Sequence, residues 1–249
     1  MDIKNIRNKY NFLVSGDSIS RGVIYDETKK KYSISSENYV SIVQEKLNGI
    51  INNTSRFGNT VIKGISRLKN EIVKNKPDVV LIEYGGNDCD FNWDEIAANP
   101  NDKYEPNTDI KLFEETLSEG VEMLKEKNIT PVLLTLPPLN ADNYFKWVCK
   151  NDPTAERNVL KWLGSVTRIY WWQERYNSSI LKIAERTKTR WIDIRGAFLE
   201  QPDFTKFICL DGIHPNIEGH RIIAEKIIEF IKSGYDYLLV NNQTAIKKI

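Results

Sequence analysis

Val79-Val80-Leu81-Ile82 is an unbroken apolar run that follows Pro77-Asp78 and leads into Tyr84-Gly85-Gly86. A run this short, apolar at every position and bounded by Pro and Gly, predicts a strand buried on both faces. Such a strand must be covered by helices above and below, which confines the chain to a parallel α/β architecture. Phe12-Leu13-Val14 and Val132-Leu133-Leu134-Thr135-Leu136 have the same character, Trp191-Ile192-Asp193-Ile194 predicts a further strand, and Ile50-Ile51 a weaker one. Helix-period stripes fall between them. Tyr39, Val40, Val43 and Leu47 form one; Val61, Ile62, Ile65, Leu68 and Ile72 form the next. Ile110, Phe113, Leu117, Val121 and Leu124 follow, with Thr108 as a candidate cap. Ile169, Trp172, Tyr176, Ile180 and Ile183 make a long helix, on whose stripe Trp172 reads as core. The last helix carries His220, Ile223, Ala224, Ile227 and Ile231, which gives His220 a packing role.

Strand and helix in alternation predict one α/β domain over residues 1–249, a doubly wound parallel sheet of five strands in the order 2-1-3-4-5. Residues 139–170 hold aromatics among charges and are a candidate cap or lid insertion; the tail 235–249 has no assignable place. In the 2-1-3-4-5 order the first and third strands are neighbours at the switch point. Ligands bind there, outside the carboxyl ends of the strands. Ser18, Gly58 and Asn87 follow the first, second and third strands, so three polar turns converge on one crevice.

A formal net charge of +1 argues against the electrostatic footprint of a nucleic-acid or anionic-membrane partner. No segment approaches the ~20 apolar residues of a membrane span. The segment Met1 to Arg7 lacks a signal peptide's apolar core, so a cytoplasmic location is the expectation. Cys89, Cys149 and Cys209 show no paired metal spacing and read as reduced thiols. With His214 and His220 the only histidines, any imidazole chemistry must use one of them.

Gly16-Asp17-Ser18 places a hydroxyl where a buried strand meets solvent, a candidate nucleophile that carries little weight alone. Gly16 lets the backbone turn sharply there, and Asp17 is expected to hold the turn by accepting backbone N–H groups. Asp211-Gly212-Ile213-His214 stands just before the last helix, with Pro215 suited to the helix entry. A carboxylate three residues ahead of an imidazole can fold back onto Nδ1, leaving Nε2 free as a general base. Taken alone, Asp211 reads equally as a turn residue. The backbone N–H groups of Ser18 and Gly58 and the side-chain amide of Asn87 are candidate oxyanion donors. Gly58 also reads as an ordinary left-handed turn, and Asn87 as a turn former.

Together, Gly16-Asp17-Ser18-Ile19, Gly58, Gly85-Gly86-Asn87-Asp88 and Asp211-Gly212-Ile213-His214 resemble, in order, the blocks of the SGNH hydrolases, also called the GDSL-like lipase/esterase/acylhydrolase family. Ile19 stands in place of the family's usual leucine, and the second block matches only at its glycine. The resemblance implies a three-layer α/β/α, flavodoxin-like fold. It implies Ser18 as nucleophile, His214 as base and Asp211 as its partner, with Ser18, Gly58 and Asn87 as the oxyanion hole. The expected activity is carboxylic ester hydrolysis through an acyl-enzyme on a small-molecule ester, with no metal and no other cofactor required. Short acyl groups on a polar or carbohydrate-like alcohol are favoured by the polar, aromatic segments near the crevice. Trp93 there is a candidate for substrate stacking, or for packing its own loop.

Other readings of the same residues stay open. A lysophospholipase- or thioesterase-like lipid hydrolase, or an acyltransferase, would use the same triad. A metal-dependent phosphoesterase also places Gly-Asp and Asn-Asp turns at strand ends, but it recruits more histidines than this chain has. A non-catalytic ligand-binding module and a Cys209 thiol nucleophile are more distant. Oligomeric state has no signature in the sequence.

Overall fold

A computed structural model describes residues 9–240. The Met1–Arg7 segment and the tail beyond residue 240 lie outside the described residues. From the amino end the chain runs β1 (Tyr10–Gly16), α1 (Ser18–Arg21), β2 (Val23–Asp26), β3 (Lys31–Ile34), α2 (Tyr39–Lys46), β4 (Gly49–Asn53), α3 (Val61–Asn75) and β5 (Val79–Glu83). Then come α4 (Trp93–Ala98), α5 (Ile110–Glu126), β6 (Thr130–Leu134), α6 (Ala141–Val148) and α7 (Pro153–Leu163). The chain continues with α8 (Thr167–Arg186), β7 (Arg190–Ile192), α9 (Ile194–Leu199) and α10 (Ile217–Gly234).

Five parallel strands pair in the order β4-β1-β5-β6-β7, the 2-1-3-4-5 arrangement. The period of two along each strand divides its side chains between two cores. Leu13, Val80, Ile82 and Leu133 pack on one face with Ile65 and Leu68 of α3, Phe113 and Leu117 of α5, and Tyr176 and Ile180 of α8. Phe12, Val14, Val132, Leu134 and Ile192 point the other way, against Tyr39 and Val43 of α2, Phe198 of α9, and Ile223 and Ile227 of α10. This doubly buried pattern is why the strands read as continuous apolar runs.

Several local expectations are corrected. The last strand stops at Ile192, because Asp193 caps α9 by accepting from the Gly196 N–H, and Ile194 already belongs to that helix. Asp109 rather than Thr108 caps α5, its Oδ1 accepting from Lys111 N–H at 2.9 Å. Asn216 caps α10 and leaves Pro215 in the loop before it. The segment after Asn87 contains the short helix α4, and β2 and β3 form an antiparallel hairpin that periodicity did not reveal. A third apolar cluster joins α4, α6, α7 and the start of α8 through Phe91, Ile96, Tyr144, Val159, Leu163 and Ile169. Among the described residues no helix is long and apolar enough to cross a membrane.

Candidate active site

Parallel strands send all their carboxyl ends to one edge of the sheet, and the chain's polar turns collect there. β1 ends at Gly16, and Asp17 caps α1 through Oδ1, which accepts the Ile19 N–H at 2.8 Å, as expected of a turn-holding residue. Gly16 does not adopt a left-handed conformation. A Cβ there would stand 2.6 Å from Ser20 Oγ and 2.9 Å from the Glu83 carbonyl, so the need is for close approach. Ser18 opens α1, buried, with its Oγ 2.9 Å from His214 Nε2. His214 Nδ1 is 2.6 Å from Asp211 Oδ2, while Asp211 Oδ1 accepts the Ile213 and His214 N–H groups at 3.1 Å each. The sequence separation of 196 residues between Ser18 and His214 is closed by the fold, in which Ile223 and Ile227 of α10 share an apolar cluster with Phe12 and Val14 of β1.

Burial by itself would raise the Asp211 carboxyl. The hydrogen bond and charge of His214 and the two backbone N–H groups outweigh it, and Asp211 is held below the usual carboxylate range. An ionised Asp211 accepts a hydrogen bond from Nδ1–H and leaves the Nε2 lone pair toward Ser18, the orientation a general base requires. Rings from other segments enclose the imidazole. Tyr32 of the hairpin lies edge-on with centroids 5.2 Å apart, and Phe57 stacks at 6.1 Å. Burial and the nearby Asp211 charge push the Tyr32 phenol above its ordinary value. Neither ring had a local sequence signal.

Asn87 lines the same cavity as Ser18 and His214. Its Nδ2 donates to Asp17 Oδ2 at 3.0 Å and to the Asn59 carbonyl at 3.2 Å. Gly58 has φ +67°, in the left-handed region, and a Cβ there would meet nothing within 4 Å. Backbone conformation, not crowding, therefore calls for glycine at this position. Its neighbour Asn59 reaches toward the Gly16 carbonyl and the Tyr84 hydroxyl, 3.4 Å from each, fastening this turn to the one that carries Ser18. Asp88 accepts the Val61 N–H with both carboxylate oxygens, at 3.0 and 3.1 Å. It thus supplies from another turn the cap that Thr60 does not give α3.

The cavity holds about 320 Å³ and mixes indole faces with polar groups. Trp93, Trp162, Trp171 and Trp172 line it, with Arg168 and Gln173. Trp172 faces this space as well as packing against the core, which corrects the purely core role its position on the stripe suggested. Trp93 Nε1 is committed to Asp90 Oδ1 at 2.7 Å and to the Tyr144 hydroxyl at 3.2 Å, so the ring, not the N–H, is what it offers. His220 is fully buried and stacks on Tyr39, in keeping with packing. Cys209 is a buried free thiol raised to about 11, chiefly by burial, which leaves it protonated and a poor nucleophile. Among the described residues no three His, Cys, Asp or Glu side chains gather as a metal ion would need.

One polar residue went unnoticed in the sequence. Glu83 closes the apolar run of β5 and is buried beside the turn that carries Ser18, where its Oε2 accepts from Ser20 Oγ at 2.9 Å. An acid at the end of an otherwise apolar strand was the available signal.

The family profile described as "GDSL-like Lipase/Acylhydrolase family" matches residues 14–222. An acetylxylan esterase from Geobacillus stearothermophilus is 23% identical over 236 residues, covering 91% of this chain and 94% of that one. A GDSL esterase/lipase, WDL1, from Oryza sativa subsp. japonica is 21% identical over 161 residues, 64% of this chain and 55% of the rice protein. The chain thus spans about half of that relative and nearly all of the bacterial one. Among solved structures, a lipase/acylhydrolase from Enterococcus faecalis aligns with a TM-score of 0.64 at 19% identity, covering 90% of this chain and 96% of that one. A catalytic mutant of the Geobacillus acetylxylan esterase aligns with a TM-score of 0.64 at 22% identity, covering 95% and 99%.

Proposed function

The chain belongs to the GDSL-like lipase/acylhydrolase family, a family of carboxylic ester hydrolases, and from that premise we propose that it cleaves short acyl esters of a polar, carbohydrate-like alcohol through Ser18. The observation that carries the reading is the unbroken line Ser18 Oγ, His214, Asp211, with contacts of 2.9 and 2.6 Å, at the wall of the aromatic cavity.

His214 Nε2 takes the Ser18 proton as Oγ attacks the ester carbonyl. The negative oxygen of the tetrahedral intermediate accepts from the Ser18 and Gly58 N–H groups and from the Asn87 amide. His214 then protonates the departing alkoxide, leaving an acyl-Ser18 ester. Water, deprotonated by the same imidazole, attacks that ester and releases the acid, restoring the serine. Asp211 stays ionised throughout and stabilises the imidazolium.

Two features support the substrate class. The cavity offers indole faces with Arg168 and Gln173 beside them, a combination suited to a sugar's apolar ring face and its hydroxyls. The Geobacillus protein, whose name specifies acetylxylan, matches over nearly its whole length. In this reading Trp93 stacks on the substrate, and residues 139–170 act as a cap whose helices α6 and α7 close the cavity.

A panel of nitrophenyl esters of increasing chain length and acetylated oligosaccharides tests it, with Ser18→Ala as blank. Acetyl esters should be preferred, a fluorophosphonate should label Ser18, and Ser18→Ala should lose both turnover and label. Unchanged turnover in Ser18→Ala removes Ser18 as nucleophile, and a strong preference for long-chain lipid esters removes the carbohydrate reading.

A further inference from the structure

Behind the nucleophile turn lies a pair of buried acids that the acyl-transfer steps do not use. The register of β1 on β5 sets Glu83 opposite Gly16, directly beside the turn that carries Ser18. Glu83 Oε2 accepts from Ser20 Oγ at 2.9 Å and is 3.5 Å from the Asp17 backbone N, while Oε1 is buried with no donor. The neighbouring acid is Asp17, also buried, and its oxygens are better served. Oδ1 accepts from Ile19 N–H at 2.8 Å and Oδ2 from the Asn87 amide at 3.0 Å. Among the described residues no ion pair reaches either carboxyl.

Two adjacent buried carboxyls without a cation are costly to ionise together, so the pair retains one proton. Burial raises both carboxyls. The other titratable groups facing the pair make no counter-charge: Tyr39 from α2, Tyr84 at the end of β5, and Asp88 and Cys89 from the following turn. Counting donors assigns the proton. Asp17 has an N–H for each oxygen and is the better anion; Glu83, with Oε1 lacking any donor, takes the proton and shares it across the carboxyl–carboxyl hydrogen bond to Asp17.

We propose that Glu83 is a positioning residue: as the protonated member of this pair it fixes Asp17, and Asp17 fixes the Asn87 amide at the cavity wall. Loss of the shared proton sets two negative charges against each other behind the turn. Asp17 then moves off Asn87, and the amide no longer meets the developing oxyanion. Substrate still binds, so kcat falls and KM holds. The kinetic part of this inference rests on the esterase reading; the state of the carboxyl pair does not.

Glu83→Gln keeps a donor toward Asp17 at every pH and has no proton to lose. Wild type, Glu83→Gln and Glu83→Ala are compared on a short nitrophenyl ester from neutral to alkaline pH. In wild type kcat should fall at alkaline pH. Glu83→Gln should stay within about threefold of wild type at neutral pH and lose that alkaline limb. Glu83→Ala should lower kcat about tenfold or more with KM within about twofold. A limb that persists unchanged in Glu83→Gln, a wild type without one, or a change confined to KM overturns the role. Infrared difference spectroscopy across the same pH range reads the pair without turnover. The carbonyl band of a protonated carboxyl should be present in wild type above neutral pH and missing in Glu83→Gln. Its absence from wild type overturns the assignment, whereas a band with no turnover of any ester sinks the esterase reading alone.

Discussion

Asp17 Oδ2 lies 3.0 Å from Asn87 Nδ2, joining the turn after β1 to the turn after β5 across the wall of the cavity. The second hydrogen of the same amide points to the Asn59 carbonyl at 3.2 Å, so a third turn enters the arrangement. Both donors of Asn87 are therefore engaged in the free site. Donating to an oxyanion means exchanging one of them, and the longer contact to Asn59 is the weaker to give up.

That exchange makes Asp17 and Asn87 separable by mutation. Asn87→Ala should lower kcat by about 10²–10³, the effect of losing one oxyanion donor. Asp17→Asn presents an amide with no charge to hold Asn87 and should cost about 10–10² in kcat with little change in KM. Steady-state kinetics on a short ester measure both; an Asp17→Asn enzyme with wild-type kcat would show that Asn87 needs no such support.

Asp211→Asn should lower kcat about 10⁴-fold, because an amide can donate to Nδ1 and set the wrong imidazole tautomer toward Ser18. The structural cost follows from the sign of its shift. Its folded-state pKa lies below the unfolded value, so its stabilisation is present above the ordinary carboxylate range and lost as pH falls through the folded value. Denaturant titrations should find Asp211→Asn less stable than wild type at neutral pH and the gap closing in acid.

Trp172 forms part of the cavity wall and carries the Arg175 guanidinium 4.4 Å from its ring centroid. Trp172→Ala should raise KM for an acetylated oligosaccharide about 3–10-fold, the worth of one aromatic contact. Nitrophenyl acetate, which needs no sugar contact, should change little. Equal effects on both substrates would count against sugar binding in this cavity.

His220 is fully buried, and burial, followed by the nearby His214, lowers its pKa to about 4. The neutral ring is therefore the folded form. Its contribution is present above the unfolded value of 6.5 and is lost as pH falls from there toward 4. Relative to wild type, His220→Phe should gain stability over that window, by up to about 3 kcal/mol at its acidic end less the cost of repacking against Tyr39. Urea unfolding at a series of pH values checks it; a difference independent of pH would refute the buried-neutral assignment.

Where the chain is locally regular, it was legible. Apolar runs over both strand faces announced a sheet covered on both sides, and the helix stripes fell where α3, α5 and α10 lie. Errors gathered at element ends, where a single side chain decides the outcome. Asp193 ended the last strand by capping α9, and Asp109 took the capping place expected of Thr108. The hairpin β2–β3 escaped notice because its strands are short and half exposed, with no apolar alternation to mark them.

Residue identity and order along the chain determined that a serine, a glycine and an amide would follow strand ends and that an Asp-X-X-His loop would precede the last helix. Parallel strands then had to carry those turns to one edge of the sheet. Tertiary structure alone decided the rest, because it depends on side chains from segments far apart in sequence. It set Tyr32 and Phe57 around His214 and turned Trp172 to the cavity. It also seated Glu83 against Asp17, a contact created by the register of β1 on β5. Such contacts have no period and no local motif; they exist only once the two cores have set the sheet and its helices in place.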